Sequence, residues 1–242
     1  MIFSQSKLLN KFSNLTHCFT TKENGNIAFH VNDDIKNVLS NHKRLSYTLN
    51  YNKDSLVYMK QIHSNIVHTV TSNDDFKNPQ ECDALITDRL NTPLMVMVAD
   101  CSPILFYDNI QKVIAVAHAG RAGAFKNIVK NTLNKFTKEF DSNIKDIIVV
   151  VGANIKSCCY EIGVEVFIEA KGLNLEYSID KKENSYYLDI DKIIKQQLLD
   201  LGINEKNIEF IDECTKCNSD KYYSYRTNAK CGRFSGIVKL NP

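Results

Sequence analysis

Two short apolar runs in this sequence stop abruptly at reactive side chains. Residues 94–99 lead into Asp100-Cys101, and residues 113–117 lead into His118-Ala119-Gly120. A third run, residues 104–107, lies between them. Each is short, β-branched or aromatic, and bounded by turn formers, so each reads as a buried strand. A hairpin closed at Asn109-Ile110 would set 108 against 111, 106 against 113 and 104 against 115. Cys101 then falls opposite His118. Directly opposed residues have Cβ atoms roughly 4.5–5.5 Å apart, which suits a shared metal ion or a thiolate–imidazolium pair. A loop longer by one residue would turn one of the two to the other face. Pro103 limits ladder bonding, so its strand is expected at an edge or to begin after the proline.

Other residues invite chemistry less strongly. The turn His-Ala-Gly-Arg-Ala-Gly (118–123) leads into a helix, and such turns expose backbone N–H groups to an anion; a plain tight turn is the competing reading. Gln61-Ile62-His63 lies in a loop between strands, where a lone histidine is more often surface or satisfied core. Cys214-x-x-Cys217, with Cys231 and the pair Cys158-Cys159, has the spacing for one side of a structural zinc site. A second, equally spaced pair is missing. Residues 222–226 (Tyr-Tyr-Ser-Tyr-Arg) would stack on a base or hold a phosphate, or form an ordinary half-buried strand. Asp100 would orient a ligand or cap a turn. Glu161 would favour a helix N-terminus.

The elements that position these groups follow from periodicity. Strands are expected at 17–21, 56–60, 66–70, 83–87, 147–151, 208–211, 222–225 and 235–240, with a hairpin at 177–180 and 186–188. Asp33-Asp34 opens a helix that runs to about 47–50, and 124–140 and 189–201 are amphipathic helices. Residues 160–171 read as a helix stopped by Gly172, and Gly202 marks another helix end. Strands and helices mix throughout, so the fold class is α/β (mixed α+β), one layered domain over 1–242 with a mixed sheet.

Composition sets the bounds. The chain has 242 residues, 43% apolar, with a net charge of +2. That is enough to bury a sizeable core and carries little nucleic-acid footprint. No run approaches the ~18–20 apolar residues of a membrane span, and the first residues lack a secretory h-region. Eight cysteines in such a chain point to reduced thiols in the cytoplasm rather than disulfides. The oligomeric state is left open.

Six segments together resemble a known family. They are Gln-Ile-His (61–63), Cys-Asp-Ala-Leu-Ile-Thr (82–87), Ala-Asp-Cys-Ser-Pro-Ile-Leu (99–105), His-Ala-Gly (118–120), Cys-Cys-Tyr-Glu-Ile-Gly (158–163) and Ser-Tyr-Arg (224–226). In order and content they look like the YfiH-type family, called multicopper polyphenol oxidoreductases (laccases) and, later, purine nucleoside phosphorylases with adenosine deaminase activity. The resemblance implies a fold similar to a toxin deamidase. It implies zinc, with copper as the alternative, as cofactor, held by His63, Cys101 and His118, which are also the catalytic residues. Purine nucleoside and phosphate are the implied small-molecule partners. Gln61, Asp100, Gly120, Arg121, Cys159 and Arg226 are the candidate substrate contacts. The chain departs from the family pattern where His-Ala-Gly-Trp-Arg-Gly becomes His-Ala-Gly-Arg-Ala-Gly, at Thr21-Lys22-Glu23-Asn24-Gly25, and at 152–157. Those changes bear on phosphate contacts and purine preference.

Three other functions compete. A blue-copper site needs two histidines, a cysteine and a distant methionine, but laccase chemistry also needs a histidine-rich trinuclear centre, and six histidines with no His-x-His pair do not supply one. A Cys–His hydrolase acting on a cell-wall precursor would use Cys101 as nucleophile and His118 as base. A binding module leaves an open three-ligand metal site without purpose.

Overall fold

The computed structural model describes residues 3–242. In chain order come β1 (Leu15–Phe19), α1 (Ile35–Thr48), β2 (Val57–Lys60), β3 (Val67–Thr69), β4 (Gln80–Glu81), β5 (Ala84–Thr87) and β6 (Leu94–Val98). The central hairpin, β7 (Ser102–Asp108) and β8 (Val113–Ala119), runs into α2 (Arg121–Phe125) and α3 (Ile128–Glu139). Then follow β9 (Ile147–Val151), β10 (Glu161–Ile162), α4 (Val164–Gly172), β11 (Ile179–Lys182), β12 (Ser185–Leu188), α5 (Ile190–Asp200), β13 (Ile208–Phe210) and β14 (Phe234–Leu240).

The expected mixed α/β fold is present, with its strands divided among three sheets. One has the order β13-β9-β7-β8-β5-β3, a second β1-β14-β6-β2-β4, and a third β10-β12-β11. The first two mix parallel and antiparallel pairs. Side-chain alternation explains how they stack. Leu94, Val96 and Val98 of β6 meet Leu105, Tyr107 and Val116 of the hairpin between the two large sheets. Met95 and Met97 point the other way, to Leu45 of α1. Ile104, Phe106, Ala115 and Ala117 turn toward Phe125, Ile128, Val129, Leu133 and Phe136. The result is four layers, helix, sheet, sheet, helices. All seven residues of β7 and all seven of β8 are buried, because both faces of the hairpin are covered.

Several local expectations are corrected. The hairpin loop has four residues, 109–112, with Asp108 Oδ1 accepting the Ile110 and Gln111 N–H groups. The register is therefore 108 to 113, 104 to 117 and 103 to 118. A slip of two residues keeps every side chain on its expected face, but the partner of His118 is Pro103, not Cys101. Pro103 also sits inside a central strand. Its missing N–H is tolerated because the β7–β9 ladder begins one residue later, at Ile104 and Val151, and its carbonyl accepts the Gly152 N–H at 2.8 Å.

The helix expected at 124–140 is two helices, broken at Asn127 in the left-handed region (φ 61°). Asparagine tolerates that conformation better than most residues. Residues 160–171 do not form one helix either. Glu161 and Ile162 pair with β12 as β10, and Glu161 accepts from the Ser185 hydroxyl at 2.8 Å, so it is no helix-dipole partner. Residues 222–225 are turns and bends rather than a strand. Tyr222 is fully buried there, its ring against Phe234 and its hydroxyl on Glu213.

Candidate metal centre and active site

Ligand-type atoms of His63, Cys101 and His118 lie within 4.8 Å of one another. His118 is the penultimate residue of β8. Its N–H bonds the Asp83 carbonyl at 2.8 Å, and its Nδ1 lies 2.8 Å from Asp83 Oδ1. Asp83, one residue before β5, is completely buried. Its carboxylate also accepts the N–H groups of Ile62, His63 and Ser64 at 3.3, 3.1 and 2.6 Å and the Ser64 hydroxyl at 2.7 Å. Burial works against its charge, but the His118 and Ser64 hydrogen bonds more than offset this and hold it down at about 2. One carboxylate thus folds the His63 loop, where His63 sits at φ 56°, and also turns His118. With Nδ1 on the carboxylate, the other ring nitrogen faces the Cys101 thiol, and a carboxylate behind the ring is the usual arrangement for a metal-bound histidine.

Cys101 follows Asp100, which takes a left-handed φ of 82°. That conformation is costly for a non-glycine residue. It is held by three contacts. Asp100 accepts the Thr215 hydroxyl at 2.6 Å and the Arg226 N–H at 2.8 Å on its carboxylate, and the Ile155 N–H at 2.9 Å on its carbonyl. Asp100 therefore positions Cys101 and the Arg226 loop. Burial raises the Cys101 thiol, but His118 and His63 outweigh it and bring it down to about 6. Burial likewise opposes charge on His118, while Cys101 and Asp83 raise it to about 9. The site is electrostatically a thiolate beside an imidazolium when no ion is present.

Gly120 gives the thiol its room. A Cβ there would lie 2.7 Å from Cys101 Sγ and 3.5 Å from His63 Cδ2. The turn does not open a long helix, because α2 has only five residues. Its dipole is correspondingly small, which weakens the expected anion site at the backbone.

The three ligand-type residues open into a cavity of about 510 Å³, within the range of small-molecule sites. Gln61, Asp100, Gly120, Arg121 and Arg226 all reach it, as expected. Gln61 is largely engaged: its side-chain amide pairs with the Met97 N–H and carbonyl at 2.9 and 2.8 Å, extending β2 alongside β6. Arg121 lines the cavity and pairs with Glu169. The Arg226 guanidinium lies over the Tyr160 ring at 5.1 Å. Cys159 is not part of the lining; its sulfur lies 3.4 Å from that of Cys217. Cys231 sits apart from both cysteine-bearing clusters, against Arg233. Asp83, His30, Tyr160 and Arg233 are not singled out by the sequence, although Asp83 and Tyr160 lie in quoted motifs; Tyr225 lies in the 222–226 segment and does line the cavity.

Fold and donor set define a class: a mixed α/β protein with a solvent-reachable constellation of two histidines and a cysteine able to hold a transition metal. Within that class, the chain belongs to the family described as multi-copper polyphenol oxidoreductase laccase, which matches residues 16–241. A Clostridium acetobutylicum protein named purine nucleoside phosphorylase is 38% identical over 91% of this chain and 90% of its own. A Corynebacterium glutamicum protein of the same name is 34% identical over 92% and 93%. The crystal structure of the Bacillus licheniformis hypothetical protein YfiH superposes with a TM-score of 0.90 at 29% identity, covering 96% of this chain and 94% of that one. No helix among the described residues is long and apolar enough to cross a membrane.

Proposed function

We propose that the chain is a purine nucleoside phosphorylase of the reducing cytoplasm, one domain over residues 1–242, that binds zinc on His63, Cys101 and His118 and also deaminates adenosine. The names of its relatives support a phosphorylase. The observation that carries the reading is the cavity itself, which sets three guanidinium groups and two tyrosine rings around the two histidines and the thiol. Guanidinium groups match a phosphate, and aromatic faces match a base.

The donor set fits zinc. Two imidazoles and one thiolate are ordinary zinc ligands, and three protein ligands leave one position open. The histidine most buried already has its second nitrogen on a carboxylate. When bound, such an ion supplies Lewis acidity and water activation near neutral pH. Of the other four histidines, His17, His42 and His68 are engaged with Ser6, Ile27 and Asp74, and His30 lines the same cavity; no second histidine cluster forms among the described residues. This argues for zinc over multicopper chemistry.

The protein's own groups then divide the work. Arg226 and Arg233 draw phosphate in through charge-assisted bonds. Tyr160 and Tyr225 hold the purine so that the anomeric carbon faces that phosphate. A phosphate oxygen bonds to the anomeric carbon as the bond to the base breaks, and the base leaves with a proton. Asp83 keeps the His118 ring fixed throughout. For deamination the same wall presents the amino-bearing carbon of the base to the His63–Cys101–His118 face.

The thiolate–imidazolium pair favours a second reading, a Cys–His hydrolase with Cys101 as nucleophile. One experiment separates them. Zinc-loaded protein is incubated with adenosine, with and without phosphate, and the products are chromatographed. Adenine only with phosphate supports phosphorolysis, and inosine in both tubes supports deamination. Neither product from zinc-loaded protein rejects the proposal and leaves the hydrolase.

A further inference from the structure

A second cluster of metal-ligating groups lies outside the cavity. The sulfurs of Cys158, Cys159, Cys214 and Cys217 all lie within 4.8 Å of one another. Cys158 and Cys159 approach Cys217 to 3.7 and 3.4 Å. The fold brings them together through one pairing. β9 and β13 are parallel neighbours, with Val151 beside Phe210. Their continuations leave the sheet at the same end, and a bridge between Asn154 and Cys214 keeps them side by side. Neither continuation is helix or strand through its cysteines, beyond that one bridge.

We infer that these four cysteines form a second, structural metal site that takes a single zinc-class divalent ion as a tetrathiolate. A tetrahedral zinc with Zn–S near 2.3 Å has sulfurs about 3.8 Å apart, close to the spacing seen. Disulfides would need sulfurs at about 2.05 Å and would join only pairs, whereas here four sulfurs converge. The Cys-x-x-Cys turn is also built to hold a thiolate. Backbone N–H groups of Lys156, Lys216 and Cys217 point at the Cys214 sulfur. The Asn218 N–H and side-chain amide both bond the Cys214 carbonyl, at 3.0 and 2.8 Å, and close the turn. Cys158 and Cys217 are exposed, so an ion has an entry path. Binding would release protons from the thiols to solvent.

The site has a mechanical purpose. Thr215, between the two cysteines of the turn, donates to Asp100, and Tyr160, next to Cys159, lies under Arg226. An ion on the quartet would tie the loop that gives Ile155 and Tyr160 to the cavity wall to the loop that holds Asp100 through Thr215, without touching the cavity's contents. This inference is independent of the purine reading.

Metal content is measured by elemental analysis on full-length protein reconstituted with zinc(II) under reducing conditions and desalted, and spectra are recorded with cobalt(II). Wild type is expected to hold two equivalents, Cys217→Ser one and Cys101→Ala one. With cobalt, Cys101→Ala should keep intense sulfur-to-cobalt charge-transfer bands and tetrahedral visible bands, and Cys217→Ser should lose most of that intensity. Because Cys217→Ser could fail to fold, native wild type is also alkylated before and after chelator; the quartet should label only after it. Loss of all metal in Cys101→Ala, rapid labelling of the quartet in zinc-loaded protein, or a disulfide within the quartet in freshly purified protein would overturn the inference. The Cys101→Ala arm reports on the quartet even if the cavity site holds nothing.

Discussion

His118 in the wall of the cavity meets Asp83 behind it at 2.8 Å, with the carboxylate completely buried. Asp83→Asn removes the charge that fixes the imidazole and the His63 loop. Loss of such a supporting partner typically costs about 10- to 100-fold in metal affinity, and breaking a buried pair costs about 3–5 kcal/mol. A competitive chelator titration should show the first and a lowered Tm the second. Unchanged zinc affinity would mean that His118 is not a ligand.

Gly120→Ala should empty the cavity site while the fold survives. Its added Cβ would lie 2.7 Å from Cys101 Sγ, well inside contact distance. Gly172→Ala is the control, since nothing lies within 4 Å of a Cβ there. That helical position should gain about 0.5–1 kcal/mol. Circular dichroism and zinc stoichiometry distinguish the two.

The Cys101–His118 pair sets a pH window in metal-free protein. The thiol is lowered to about 6, so its contribution to stability is lost as pH falls through that value. The imidazole is raised to about 9, so its contribution is lost as pH rises through that value. Iodoacetamide should therefore label Cys101 with a rate that rises through pH 6. A midpoint near 9 would refute the ion pair. Zinc should abolish the labelling.

Arg226→Ala should raise the KM for phosphate with metal content unchanged. A lost charge-assisted hydrogen bond is worth about 1.5–3 kcal/mol, or roughly 10- to 100-fold. A change confined to the KM for nucleoside would place Arg226 at the base instead. Steady-state kinetics with each substrate varied in turn decides it.

How much of this was readable in advance depended on distance along the chain. The abrupt ends at Cys101 and His118 are local, and they marked the site. The hairpin register came out two residues off, because residues 109–112 form a four-residue loop whose last member, Lys112, adopts φ 56°; no residue type there demands it. Asp83 was one of 28 acidic residues, and only the β5–β8 pairing shows what it holds. His30 and Arg233 reach the cavity from loops with no periodicity to read. The sequence groups Cys214-x-x-Cys217 with Cys158-Cys159 and also with Cys231; that Cys231 stands apart while the other four converge follows from the parallel β9–β13 pair, which a sequence does not announce.

The placement of β14 governs how this molecule assembles. It lies between β1 and β6, so the last described strand is interior to its sheet and the first, at the sheet's edge, pairs with it. Until residues 234–240 are available, β1 has no neighbouring strand and one edge of β6 is unpaired. Closure over so long a loop is slow. A chain emerging from the ribosome therefore carries those two strand edges exposed until β14 arrives to pair them.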